Sequence, residues 1–268
     1  MSKKLFEDLL ASFKRSNKER KLKLANKAGY ATVEGYKEYL ERQINVVLEP
    51  VVVAKPVDSS KNTVKPTIHI VDIIDCSGSM SGGKIRNAIK GINDGIKELQ
   101  NSDIADYIYT ICDFSDASDI NFSYINKNIK EVGKIDSSAR GITALYDAIG
   151  ITLGKVQDNV LKGEKVLVNI YTDGGENGSR IFSSVGISNL ISVLKDDYTV
   201  TFIGTSYDVA QVTTILSIES SNTLVYDGSA TGLASSMTTN SIARTAYSKN
   251  VALGNDVSKG FFKNVVKK

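Results

Sequence analysis

Asp75, Ser77 and Ser79 stand at two-residue steps, and no other stretch of the chain is better equipped for chemistry. All three side chains are hard oxygen donors. Such donors suit Mg²⁺ better than zinc or copper, which favour imidazole and thiolate. The chain's one histidine, His69, lies six residues before Asp75 and outside every motif, which argues against a zinc site or a histidine-based triad. No base is visible beside either serine to activate it as a nucleophile. A second pattern overlaps the first. Gly78 to Lys84 satisfies Gly-x₄-Gly-Lys, the opening of a phosphate-binding loop. That signature then needs Ser or Thr to reach Mg²⁺, and here Ile85 follows. A nucleotide hydrolase is therefore the weaker reading.

The flanking residues say what must position these donors. Ile68 to Ile74 is rich in β-branched residues and reads as a buried strand. Ser81-Gly82-Gly83 reads as a loop. Ile85, Ala88, Ile89, Ile92, Ile96 and Leu99 then recur at three- and four-residue steps, one face of a helix packed on a sheet. The donors thus sit at the carboxyl end of a strand and face a helix N-terminus, where open α/β sheets bind ligands. Asp72 lies mid-strand and, if buried, needs a partner that the sequence does not name.

From Pro66 onward strands and helices alternate, which predicts an α/β fold: a doubly wound, mostly parallel central sheet flanked by helices. Strands are expected at 107–114, 120–125, 165–171, 199–203 and 223–226. Helices are expected at 143–160, 184–194, 209–216 and 230–250.

At this point the chain resembles the von Willebrand factor A (VWA) domain family. Asp75-x-Ser77-x-Ser79 is similar to that family's metal-ion-dependent adhesion site (MIDAS). Gly141 to Ala148 resembles its threonine loop, with Thr143 the candidate. The apolar run Val166–Tyr171 followed by Thr172-Asp173-Gly174-Gly175-Glu176-Asn177 resembles its second aspartate loop, with Asp173 the candidate. Phe114-Ser115-Asp116 is a weaker fourth match, and Asp116 reads as a turn residue. The resemblance covers roughly residues 66–247. It implies a non-enzymatic module in which Asp75, Ser77, Ser79, Thr143 and Asp173 hold Mg²⁺ or Mn²⁺, directly or through water. It implies a protein partner whose Glu or Asp side chain takes the open metal position. The edge strand at 120–125 would run antiparallel. Asp147 and Glu176 read as hydrogen bonders rather than ligands. Thr172 to Asn177 has the form seen in intracellular A-domain proteins of bacteria and their phages. An alternative is a structural component of a large complex or phage particle, with the fold as scaffold.

The chain has 268 residues, 41% of them hydrophobic, enough for one large α/β domain and a small module. A net charge of +3 is too small to argue for nucleic acid. Cys76 and Cys112 read as small buried fillers in a reduced compartment. No signal segment or membrane span is visible, so the expected location is cytoplasmic, or the virion for a phage protein. Residues 1–47 read as a basic helical hairpin, with 11 Lys and Arg against 7 Asp and Glu in residues 1–50. Packing on the main domain or a second copy, a partner-binding arm and a membrane-surface helix are all open for it. All three prolines, Pro50, Pro56 and Pro66, bracket a linker at 48–65. The A-type domain is placed at 66–250, with 251–268 a tail carrying Phe261, Phe262, Val265 and Val266 between lysines.

Overall fold

The computed structural model describes residues 65–157, 159–263 and 265, together with Lys37. The hairpin module at 1–47 and the linker at 48–65 lie outside the described residues, Lys37 and Lys65 apart. Among the described residues six strands form one sheet: β1 (Thr67–Asp75), β2 (Asp106–Phe114), β3 (Ile120–Asn128), β4 (Lys165–Tyr171), β5 (Tyr198–Thr205) and β6 (Thr223–Tyr226). Their order is β3-β2-β1-β4-β5-β6. All neighbours are parallel except β2 and β3, so the edge strand is antiparallel as expected.

Burial explains the order. In β1 every residue but Thr67 is buried, as a central strand covered on both faces requires. β3 alternates between exposed and half-buried residues, the pattern of an edge. Its pairing with β2 slips around Thr110, where Asn126 takes a left-handed backbone (φ 48°) and donates its N–H to Thr110 Oγ1 at 2.9 Å.

Among residues 65–263 five α-helices complete the layers: α1 (Lys84–Gln100), α2 (Leu145–Gln157), α3 (Ser184–Leu194), α4 (Ser206–Leu216) and α5 (Ala230–Ala252). α1 and α5 bury their apolar residues on one face of the sheet with Ile68, Ile70 and Ile74. α2, α3 and α4 cover the other face, against Val71, Ile73, Val168 and Phe202. Cys76 and Cys112 are free and buried, and burial pushes their thiols up to about 11 and about 12. His69 is a core histidine whose Nε2 meets Glu164 Oε2 at 2.8 Å.

Two expectations need correction. The helix read from residue 143 starts at Leu145, because the Thr143 carbonyl is taken by the N–H groups of Asn177 and Gly178 at 2.9 Å each, and the helical ladder opens with Ala148 N–H on Ala144 O at 3.0 Å. The boundary drawn at residue 250 falls inside α5, and the segment beyond it joins the same core. Val257, Phe261 and Phe262 are buried, and the N–H groups of Gly260, Phe261 and Phe262 bond to Ser221 and Asn222.

Candidate functional site

The chain runs from β1 to β2 on one side and later places β4 on the other. The sheet therefore has its topological switch between β1 and β4, and the crevice beyond their carboxyl ends is where such sheets bind ligands. Asp75 ends β1 and Asp173 lies two residues past β4. The segment before α2 closes over the same crevice: Gly78 N–H donates to Gly141 O at 3.1 Å, and Arg140 N–H to Cys76 O at 2.6 Å.

The side chains follow one another in hydrogen-bonding distance. Asp75 is fully buried; its Oδ1 accepts from Ser77 N–H at 2.7 Å and its Oδ2 from Thr172 Oγ1 at 2.6 Å. Burial pushes its carboxyl up to about 6, against those two hydrogen bonds, which favour the charged form. Ser77 Oγ lies 2.9 Å from Ser79 Oγ, and Ser79 donates to Asp173 Oδ1 at 2.6 Å. The other oxygen of Asp173 pairs with the Lys84 ammonium, which opens α1.

Thr143 joins this group through space. A Cβ on Gly174 would stand 3.2 Å from both Ser79 Oγ and Thr143 Oγ1 and 3.7 Å from Asp75 Oδ2. Oxygens from two separate loops thus face one small volume beside the loop of Asp173, and glycine at 174 keeps it open. The donor set of two carboxyls and three hydroxyls fits a hard divalent cation. Among the described residues there is no cluster of three or more His, Cys, Asp or Glu side chains, so a soft or all-carboxylate metal centre has no ligand set there.

No family model matches the chain, and no curated protein sequence matches it. Solved structures do. It is similar to the SpaC pilus adhesin of Lactobacillus rhamnosus GG in its open conformation, with a TM-score of 0.54 and 14% identity over 72% of this chain and 31% of that one. It is similar to proximal thread matrix protein 1 of the mussel byssus, with a TM-score of 0.50 and 17% identity over 77% of this chain and 51% of that one. It is also similar to the ArnB paralog VWA2 of Sulfolobus acidocaldarius, with a TM-score of 0.48 and 21% identity over 66% of this chain and 46% of that one. The chain has a VWA-like fold. It spans about half the length, or less, of these structures.

Within this VWA-like domain the five residues singled out from sequence stand together. Four others went unremarked as site residues. Lys84 is paired with Asp173. Thr172 holds Asp75 and accepts from Gly174 N–H at 3.2 Å. Asn177 anchors Thr143, its Oδ1 accepting from Thr143 N–H and its own N–H donating to Thr143 O at 2.9 Å. Arg140 fixes the segment leading to Thr143, its guanidinium bonding Asp113 Oδ2 at 2.7 Å and both oxygens of Asp119. The Arg140 guanidinium holds the Asp119 carboxyl down at about 2. Lys84, Thr172 and Asn177 lay inside motifs read for other residues, and Arg140 in no motif.

Asp147 and Glu176 are structural. Asp147 accepts from the N–H groups of Arg180, Ile181 and Phe182 at 2.7–2.9 Å. Glu176 accepts from Tyr146, Gly178 and Ser179 N–H. Asp116 makes an Asx-turn with Ser118 N–H at 2.8 Å.

Proposed function

We propose that the VWA-like domain is a non-enzymatic interaction module that binds an acidic group of a protein partner through a divalent cation, Mg²⁺ or Mn²⁺. The residues that would hold the cation are Asp75, Ser77, Ser79, Thr143 and Asp173. One observation carries the reading: the Ser79 and Thr143 hydroxyls and the Asp75 carboxyl, from two loops, converge on the space above Gly174 at the switch point of the sheet, with Asp173 bonded to Ser79 beside them. Bound there, the cation would supply a positive centre with a position left for a partner's carboxylate. The chain's own part is orientation. Thr172 and Ser77 N–H fix Asp75, Asn177 fixes Thr143, and Arg140 pins the loop that carries it.

A hydrolase is disfavoured on two grounds. His69 sits near the start of β1, at the opposite end of the sheet, against Glu164. Ile85, in the position where a phosphate-binding loop needs a hydroxyl, is buried in α1. A reducing, intracellular location is supported by the two free, buried cysteines. Among the described residues no helix is long and apolar enough to cross a membrane.

Titration calorimetry with MgCl₂ and MnCl₂ tests the reading. Binding to a single site without nucleotide is expected, abolished in Asp75→Ala and weakened in Thr143→Ala. A folded sample that takes up neither ion sinks it.

A further inference from the structure

Asp173 is engaged in a way that the five-residue site does not require. Its side chain is only 1% exposed, with one oxygen held by Ser79 and the other covered by the Lys84 ammonium. Gly82 and Gly83, just before Lys84, both take left-handed backbone conformations, φ 70° and 99°, in the turn that leads into α1. Asp75, by contrast, has only neutral donors on its oxygens. Lys84 is the positive charge that the chain itself places on this pair of carboxyls, and it stands on Asp173.

We propose that Lys84 is a tethered counter-cation, which holds Asp173 in the metal-free domain and competes with the divalent ion for it. The inference rests on the cation-binding reading above. An ammonium supplies one unit of charge at a single Asp173 oxygen, whereas a divalent ion serves the carboxyl and hydroxyl oxygens together. Two cations crowded at one carboxyl repel, so the ion must displace the ammonium or bind beside it at a cost. A unit charge within about 4–6 Å changes a neighbour's ionic equilibrium by roughly 10- to 1000-fold. Lys84 therefore lowers metal affinity while keeping Asp173 and the loops around it assembled when no metal is bound. The contact lies 89 residues apart in sequence and joins α1 to the loop after β4, so losing it loosens the apo site rather than one loop alone.

The test compares wild type, Lys84→Met and Lys84→Gln by calorimetry with MnCl₂ and by thermal unfolding in chelator, with circular dichroism as the check on folding. Both variants keep an unbranched stem one atom shorter than lysine and remove its charge. The expected result is metal binding at least about tenfold tighter than wild type, together with a lower melting temperature in chelator. Equal or weaker metal binding in folded variants overturns the proposal while wild-type binding leaves the cation reading standing. A melting temperature in chelator equal to wild type overturns the holding role. Failure of wild type and both variants to bind any ion overturns the cation reading and this inference with it.

Discussion

Asp72 shows what single residues contribute and why some could not be read. It is 1% exposed in the middle of β1. Its carboxyl accepts from Tyr109 OH at 2.6 Å, Asn169 Nδ2 at 2.8 Å and Tyr171 OH at 3.3 Å. The network continues, as Thr201 donates to Asn169 Oδ1 at 3.0 Å and Asn240 to Tyr171 OH at 2.8 Å. Burial, more than the neighbouring Asp72, keeps both tyrosines well above their usual range, so they remain donors. The partners come from strand register: Asp72 stands level with Ile111 and Asn169, which places Tyr109 and Tyr171 two residues off on either side. Sequence alone gives the need for a partner but not the register that supplies it. Asp75, Ser77 and Ser79 were legible for the opposite reason, since their spacing is local and ends an apolar run. Thr143 and Asp173 were legible only as loop motifs. The Lys84–Asp173 pair was not, because no local pattern links residues 89 positions apart. Asp72→Ala leaves three buried donors without their acceptor, each worth about 1–3 kcal/mol. We expect a loss of about 3–5 kcal/mol in urea unfolding, and about 1–2 kcal/mol for Tyr109→Phe, which removes one donor.

Among the elements, α1 and α5 meet more closely than their side chains would ordinarily allow. A Cβ on Gly91 would lie 2.5 Å from Met237 Cβ, and one on Gly95 would lie 2.2 Å from the Arg244 guanidinium. These glycines, one helical turn apart, form the groove in α1 that receives α5. The apolar face of α1 was readable from its three- and four-residue steps, but the small-residue groove beside it was not, because it has meaning only against a neighbour. The sequence predicts a helix over 230–250, and the buried face of α5 mixes Leu233, Met237 and Tyr247 with Asn240 and Arg244. That face is polar because it covers the end of the Asp72 network. Gly91→Ala sets two effects against each other. Alanine favours helix over glycine by about 1 kcal/mol, whereas overpacking a close contact costs about 1–3 kcal/mol. The contact is with Met237 Cβ, which cannot rotate away from its backbone, so packing wins. Gly91→Ala should lower stability by about 1–2 kcal/mol, read as a lower urea midpoint at unchanged slope.

Across the whole molecule the two ends of the sheet do different work. The carboxyl ends of β1 and β4 carry the candidate site, and the opposite end is closed by the segment after α5. There Thr199 Oγ1, near the start of β5, donates to Val257 O at 3.0 Å, and Asn222 Nδ2 donates to Ser258 O at 2.9 Å. Phe261 packs against Tyr247 of α5 with the rings tilted at 57° and their centroids 5.9 Å apart, and Phe262 meets Phe261 edge-on at 4.8 Å. Four apolar residues spaced among lysines are too short a pattern to show that they are core, which is why the segment read as a tail. With Phe261 7% and Phe262 3% exposed, it is part of the domain. Phe→Ala changes at buried positions typically cost about 3–5 kcal/mol, and Phe261→Ala is expected within that range by urea unfolding. The site lies at the far end of the sheet with no residue shared. Mutations separated in this way act independently to within about 0.3–0.5 kcal/mol. Folded Phe261→Ala should therefore bind Mn²⁺ in calorimetry within about twofold of wild type, while losing several degrees of melting temperature. If its metal affinity falls along with its stability, the two ends are coupled, and the segment after α5 is part of the site's support.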